Sequence, residues 1–341
     1  MRGVSSLPIA RDGTNLSNAE RTALVTGISG QDGSYLAELL LERGYRVVGI
    51  SHTPLSHSRP WIDRLRKRIQ FTSLPIVDVA KFQALLKEYR PREIYNCGAR
   101  ASSSHLFSDP VLTAEVNGMA VLRMLEAIRI TDPTIRFYQA SSSEMFGLPE
   151  SSPQNERTPF RPSNPYGVAK LFAHEMVRTY RENFGLFACS SILFNHESPR
   201  RRPELVTRKI SIGVARIKAG LADTLALGSL EATRDWGYAP DYVHAMWQML
   251  QADHADDYVL ATGRSHTVRD FCQVAFDYVG LDYRDYVQVD PAAERSPEPL
   301  PRVGDATRAR TVLGWRPEVS FPGLVHIMVD ADLAELTRTS A

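Results

Sequence analysis

The sequence predicts an α/β fold, a doubly wound parallel sheet carrying a smaller C-terminal lobe. Three observations lead there. Short β-rich runs alternate with segments whose apolar residues recur at helical spacing, repeatedly between residues 22 and 194. The first of these runs ends on a glycine cluster that opens a helix. The chain has 341 residues, 43% of them hydrophobic, enough for one large domain or two that share a core. Repeated βα units imply parallel strands with helices on both faces.

In chain order, residues 1–20 are polar, lack the apolar stretch of a secretory signal, and are expected to form a disordered tail. TALVT (22–26) is the first strand. Residues 31–43 carry Tyr35, Leu36, Leu39 and Leu40 as the stripe of an amphipathic helix. RVVGI (46–50) is the second strand. Arg64-Leu65-Arg66-Lys67-Arg68 reads as the solvated face of a helix rather than a nucleic-acid patch. VAKFQALLKEYR (79–90) then pairs with the strand EIYNC (93–97). A helix around Asn117–Arg129 pairs with IRFYQAS (135–141), and a long helix after Pro165 pairs with CSSILF (189–194). Beyond about residue 195 the pattern loosens, and Pro, Arg and Gly become dense at 198–203 and 291–304. The expected organisation is therefore a nucleotide-binding domain at 21–195. Residues 196–341 form mainly a lobe over the carboxyl ends of the strands, with part of about 225–262 returning to the first domain.

Charge and cysteine usage exclude several function classes. Lys plus Arg is 40 and Asp plus Glu is 39, a net charge of +1, so no global field favours nucleic acid or an anionic membrane. The apolar runs are strand-length, short of the roughly 20 residues that cross a bilayer. Cys97, Cys189 and Cys272 are odd in number and far apart, which argues against a disulfide framework or a Cys-based metal site. A soluble, cytoplasmic protein is expected.

Two constellations carry chemistry. Gly27-Ile28-Ser29-Gly30-Gln31-Asp32-Gly33 follows the first strand directly, and glycines there let backbone amides approach a pyrophosphate at a helix N-terminus. In a βαβ series this spacing is strong evidence for a dinucleotide site of the Rossmann type. The acid that an NAD-selective site usually carries about 20 residues later is missing. No Asp or Glu lies between Glu42 and Asp63. That leaves room for the 2′-phosphate of NADP near His52, His57 or Arg59, without excluding NAD. The second constellation is Tyr166-Gly167-Val168-Ala169-Lys170, which places Tyr and Lys on one helical face, where an ammonium would lower the tyrosine pKa. Only six residues are Lys, so each weighs more. Upstream, Ser141-Ser142-Ser143-Glu144 sits where a strand ends, the ligand edge of an open α/β sheet. Pro199-Arg200-Arg201-Arg202 adds guanidinium groups suited to phosphate oxygens.

Together these segments resemble the extended short-chain dehydrogenase/reductase superfamily, and within it the GDP-mannose 4,6-dehydratases, over roughly residues 22–335. ALVTGISGQDGSYLAE, RFYQASSSEMFG, SNPYGVAK, FNHESPRR, RDWGYAPDYV and GDATRARTVLGW carry the likeness. The resemblance implies a lyase that dehydrates a GDP-sugar by internal hydride transfer to and from bound NADP. By it, Ser142, Glu144, Tyr166 and Lys170 are catalytic. Gly27, Gly30, Gln31, Asp32, Gly33, His196 and Arg201 hold the cofactor together with Tyr166 and Lys170, with Arg59 the candidate cofactor contact that the missing acid leaves room for. Asn195, Glu197, Lys209, Arg234, Arg295 and Glu298, with Ser142, contact the substrate, and a homodimer or homotetramer is implied. The sequence departs from the family's usual pattern at Thr53-Pro54-Leu55-Ser56, at Leu74-Pro75 and at Gly98-Ala99-Arg100-Ala101. The competing readings are a dehydratase of a related GDP-sugar such as a GDP-manno-heptose, a GDP-4-keto-sugar reductase or epimerase, and a non-catalytic nucleotide-binding homologue.

Overall fold

The first strand shows how the sheet is buried on both sides. In β1 (Thr22–Thr26), Ala23 and Val25 pack into one hydrophobic layer and Leu24 into the opposite one, all three fully buried. This is the period of two that a strand imposes on its side chains. The computed structural model describes residues 21–51, 60–73, 78–101, 107, 109–290 and 300–340. The tail expected at 1–20 and the segments singled out at 52–59 and 74–75 therefore lie outside the described residues.

Strand and helix alternate through α1 (Gln31–Glu42), β2 (Arg46–Ser51), α2 (Pro60–Arg66), β3 (Gln70–Ser73), α3 (Val79–Tyr89) and β4 (Glu93–Asn96). They continue through α4 (Pro110–Ala114), α5 (Ala120–Thr131), β5 (Arg136–Ala140), α6 (Pro165–Phe184) and β6 (Ala188–Leu193). After these come β7 (Asn195–Glu197), α7 (Val206–Lys218), β8 (Leu225–Leu227), β9 (Thr233–Arg234), β10 (Trp236–Tyr238), α8 (Ala239–Gln251) and β11 (Asp257–Leu260). The chain ends with β12 (His266–Thr267), α9 (Val268–Tyr278), α10 (Tyr283–Tyr286), β13 (Val287–Val289), α11 (Thr307–Val312) and α12 (Phe321–Ser340).

Seven strands form one parallel sheet in the order β11-β6-β5-β4-β1-β2-β3. The order reverses at β1, which lies between β2 and β4. A crevice opens at such a reversal, outside the carboxyl ends of the strands, and this is where open α/β sheets bind ligands. Helices α1 and α8 cover one face, and α3, α5 and α6 the other. A separate core joins α7, β10, α9 and α12 through Ile210, Val214, Trp236, Phe271 and Val325. The doubly wound α/β architecture is the one expected.

Two local differences have physical reasons. Strand β3 leaves no mark in the hydrophobic pattern, because its residues are half-buried or exposed and give no apolar run. The helix expected from Asn117 begins earlier, at Pro110. Asp109 caps it through the backbone N–H of Leu112 (3.0 Å), and a π turn at Glu115–Met119 joins α4 to α5. Polar Glu115 and Asn117 interrupt the apolar stripe that would have announced this start.

Candidate active site

The glycine cluster makes a cradle that no other residue fits. Gly27 has φ +66°, and a Cβ there would lie 2.7 Å from the Gly98 backbone nitrogen. A Cβ on Gly33 would lie 2.4 Å from the Gly27 carbonyl oxygen. Gly30 caps α1 without any side-chain bond, so the first-turn amides keep their capacity to bind an anion. Glycines that bring backbone this close, under uncapped amides at the sheet's reversal point, fit the pyrophosphate of a dinucleotide.

The segment after β6 clamps this cradle. Gln31 donates to the His196 carbonyl (3.1 Å) and accepts from Ser198 (2.7 Å). The His196 ring faces two acceptors, the Asp32 carboxylate (3.0 Å) at Nε2 and the Phe194 carbonyl (2.8 Å) at Nδ1, and stacks on Tyr242 at 4.8 Å. An imidazolium, with two N–H donors, satisfies both. Burial alone would lift the Asp32 pKa, but the His196 charge overrides it and holds that pKa down at about 2. Burial likewise opposes the charge on His196, and Asp32 raises its pKa in return. Arg200 grips Glu38 at 2.7 Å and Ser34 at 3.0 Å, with its guanidinium 3.8 Å from the Tyr35 ring centroid. Gln31, Asp32 and His196 were expected to contact the cofactor, yet their side chains bond to one another and to Ser198. Glu197, expected to contact substrate, is buried, and one carboxylate oxygen accepts from Arg201 (3.0 Å) and Thr207 (2.6 Å). It holds Arg201.

Across the crevice, the end of β5 carries the reactive groups. Thr26, Asn96 and Gln139 tie the ends of β1, β4 and β5 in a buried chain at 2.5 and 2.8 Å. The Ser142 hydroxyl caps a one-turn 3₁₀ helix, Ser143–Met145, by accepting the Glu144 backbone N–H (3.2 Å). Glu144 accepts from Asn164 Nδ2 on one oxygen (2.9 Å) and from Arg302 on the other (2.5 Å). Asn164 also caps α6, its oxygen accepting from the Gly167 backbone N–H (2.8 Å). A Cβ on Gly167 would lie 2.5 Å from the Glu144 carbonyl oxygen, so this glycine lets α6 bring Tyr166 beside Glu144. Burial favours the acid form of Glu144, but the positive charges of Arg302 and Arg234 and the hydrogen bonds from Arg302 and Asn164 outweigh it and lower its pKa.

Tyr166 and Lys170 share the α6 face. Burial, with the Glu144 charge behind it, pushes the Tyr166 phenol up to about 12 against the opposing Ser142 hydrogen bond and Arg201 charge. Lys170 has a closer partner than the phenol. Its ammonium donates to the Ala140 carbonyl (2.6 Å), 5.7 Å from the Tyr166 ring centroid, and burial brings its own pKa down to about 8. The structure thus gathers Ser142, Glu144, Tyr166, Lys170, Arg201 and Arg234 around one crevice. Asn195 lies in β7, which pairs with β10, and Lys209 is exposed on α7. Arg59, Arg295 and Glu298, with His52 and His57, lie outside the described residues. Sequence reasoning missed Asn164, Ser198, Arg200 as a clamp, and Arg302. The Asn-Pro pair at 164–165 was a legible helix-start signal, whereas nothing local announced Arg302.

The family profile described as GDP-mannose 4,6 dehydratase matches residues 24–328. The chain belongs to this family. It is 45% identical over 325 residues to GDP-mannose 4,6 dehydratase 2 of Arabidopsis thaliana, covering 92% of this chain and 87% of that one. It is 44% identical over 345 residues to the GDP-mannose 4,6 dehydratase of Homo sapiens, covering 93% and 92% respectively. Among solved structures, the UDP-glucose 4-epimerase of Thermus thermophilus in complex with NAD superimposes with a TM-score of 0.78 at 27% identity, covering 91% of this chain and 98% of that one. The GDP-mannose 4,6-dehydratase family is thus set on a scaffold it shares with sugar-nucleotide epimerases.

Proposed function

We propose that this chain is a lyase that converts GDP-D-mannose to GDP-4-keto-6-deoxy-D-mannose, with NADP as its bound cofactor. The observation that carries the reading is Glu144 beside Tyr166. A 4-keto-sugar reductase needs one acid–base group, whereas dehydration across C5 and C6 needs a second. Here the second is a carboxylate fixed by two donors and still 31% exposed. The identity to curated dehydratases over most of the chain supports the same reading.

NADP, held by the Gly27–Gly33 cradle and the first turn of α1, would supply a hydride acceptor for C4 of the sugar and a hydride donor for C6. The protein handles the protons. Tyr166 takes the proton of the 4-hydroxyl, with Lys170 near enough to stabilise the phenolate once substrate and cofactor have displaced water. The ketone at C4 acidifies the C5 proton, which Glu144 removes. Glu144 then gives this proton to the C6 hydroxyl, which leaves as water, and the Ser142 hydroxyl steadies the same region of the sugar. Glu144 therefore ends the elimination as the carboxylate it began as. When hydride reaches C6, C5 takes up a proton from solvent, offset by the one that Tyr166 gives up, so protons balance over the turnover.

NADP is preferred to NAD in this reading because no acid follows β2 to meet an adenosine 2′-hydroxyl. We also propose a cytoplasmic homo-oligomer. The three cysteines are free thiols, in keeping with a reducing compartment. Exposed Phe107, Val168 and Phe172 line an apolar groove beside α4 and α6, the kind of face a second copy covers. Mass spectrometry of GDP-mannose after incubation with enzyme and NADP should show loss of one water with no net cofactor reduction. Intact GDP-mannose, or stoichiometric NADPH consumption with a keto-sugar, would refute the assignment.

A further inference from the structure

The loop after residue 300 places a buried arginine on the proposed catalytic carboxylate, and its backbone is built to do so. Gln154, fully buried, stitches the loop on both sides of Arg302, its side-chain amide donating to the Pro301 carbonyl (3.3 Å) on the near side. Its backbone N–H donates to the Val303 carbonyl (2.8 Å), its carbonyl accepts from Asp305 (2.7 Å), and its side-chain oxygen accepts from the Val303 N–H (3.1 Å). Asp235, itself buried, accepts the Gly304 N–H (3.2 Å). Gly304 sits where a Cβ would come within 2.3 Å of the Ala261 side chain, which seats the loop against β11. So fixed, Arg302 is 8% exposed, and its guanidinium reaches Glu144 at 2.5 Å, opposite Asn164.

We infer that Arg302 is a positioning residue for the dehydration step: its fixed positive charge keeps Glu144 anionic and oriented, so that this one group enters the step as base and leaves it as a strong acid. This deepens the dehydratase reading and rests on it. The chemistry explains the use of arginine. Before the step, Glu144 has to be a carboxylate, or it has no room for the C5 proton. Once it has taken that proton, a guanidinium that never deprotonates stays beside a neutral acid and favours the proton's departure. The C5–H electron pair becomes the C5–C6 double bond as the C6–O bond breaks. The same proton travels to the departing oxygen, so no outside acid, base or redox partner is required. Asn164 holds the second oxygen through a neutral amide, so the charge comes first from Arg302, with Arg234 behind it, and the orientation from Arg302 and Asn164.

Two substitutions separate charge from packing. Arg302→Gln keeps a buried hydrogen-bond donor without the charge, and Arg302→Lys keeps the charge without the planar fork. The measurement is the pH profile of kcat for GDP-mannose dehydration, with KM and thermal melting followed in parallel. In Arg302→Gln the acidic limb of kcat should move to higher pH by at least about one unit, and kcat should fall by roughly 10–10³-fold, within the range that general acid–base catalysis supplies. KM should change by less than about threefold, since the residue acts through Glu144. Arg302→Lys should restore the acidic limb and recover part of kcat. An unmoved limb in Arg302→Gln, or a rise in KM alone, overturns the role. Failure of both variants to fold also overturns it, by making Arg302 a purely structural residue. Wild-type enzyme that leaves GDP-mannose intact would refute the reaction assignment and this role with it. Wild-type dehydration alongside an unmoved limb refutes the role of Arg302 alone.

Discussion

Asp32 and Glu144 stand on opposite sides of the same crevice, and each is a carboxylate held by a cation with its pKa lowered. Their surroundings differ in what they leave free. Asp32 meets a titratable partner, His196, whose other nitrogen is bonded and whose ring is stacked on Tyr242. Its side chain is 20% exposed, and its neighbours are the glycine cradle and the clamp from β7. Glu144 meets Arg302, which does not titrate, and remains open to the crevice beside Tyr166. The same ion-pair device thus locks a loop on one side and readies a proton carrier on the other. What separates them is access to solvent and the kind of cation.

The sharpest way to separate the two is to neutralise each acid in turn. Glu144→Gln is nearly isosteric and retains its fold, but its amide has no place for the C5 proton. Turnover of GDP-mannose should fall by roughly 10²–10⁴-fold. Solvent deuterium should no longer enter C5, while melting shifts little. Full turnover or unimpaired deuterium entry would remove Glu144 from the chemistry. Tyr166→Phe should cost a similar factor by stopping deprotonation of the 4-hydroxyl, with cofactor affinity nearly unchanged by calorimetry. A variant with wild-type turnover would show that another group takes that proton.

Asp32→Asn should behave in the opposite way. It leaves buried His196 without its counter-charge and should destabilise the fold by about 1–3 kcal/mol in urea denaturation, the usual cost of orphaning a buried hydrogen-bonded group. The chemical step should slow far less than in Glu144→Gln when the cofactor is saturating. Turnover lost without loss of stability would reverse the contrast between the two sites.

How much of each side could be read from the chain follows from contact range. The cradle, the Tyr166–Lys170 pair and the Ser142–Glu144 turn were legible because each lies within a few residues along one strand end or helix face. The parallel sheet was legible for the same reason, since each βα unit declares its own period. The clamp was only half legible. FNHESPRR stood out as a motif, but its reach across to Asp32, Ser34 and Glu38 spans more than 160 residues. Arg302 lies 158 residues from Glu144 and carried no local pattern at all. The high Tyr166 pKa was equally hidden, because helical spacing shows that Lys170 is near but not that Ala140 captures its ammonium.

The smallest expected effect is a pH dependence of stability specific to the Asp32 side. Asp32 has its folded pKa held at about 2, below the ordinary 3.8, so its contribution is complete above pH 3.8 and fades as pH falls toward 2. His196 has its folded pKa raised above 6.5, so its contribution is complete below pH 6.5 and is lost as pH rises through the raised value. The pair should therefore stabilise most between about pH 4 and 6.5, by about 2 kcal/mol on the Asp32 shift. Urea melts of wild type and Asp32→Asn at pH 5.5 and pH 9 give the measurement. The stability gap should be wider at pH 5.5 and should narrow toward pH 9, as pH rises through the raised His196 pKa and Asp32 loses its cation. Arg302 cannot lose its proton in this range, so the corresponding gap between wild type and Glu144→Gln should stay flat from pH 5.5 to 9. A gap that widens for Asp32→Asn at high pH would mean that Asp32 is held by the amides of α1 rather than by His196.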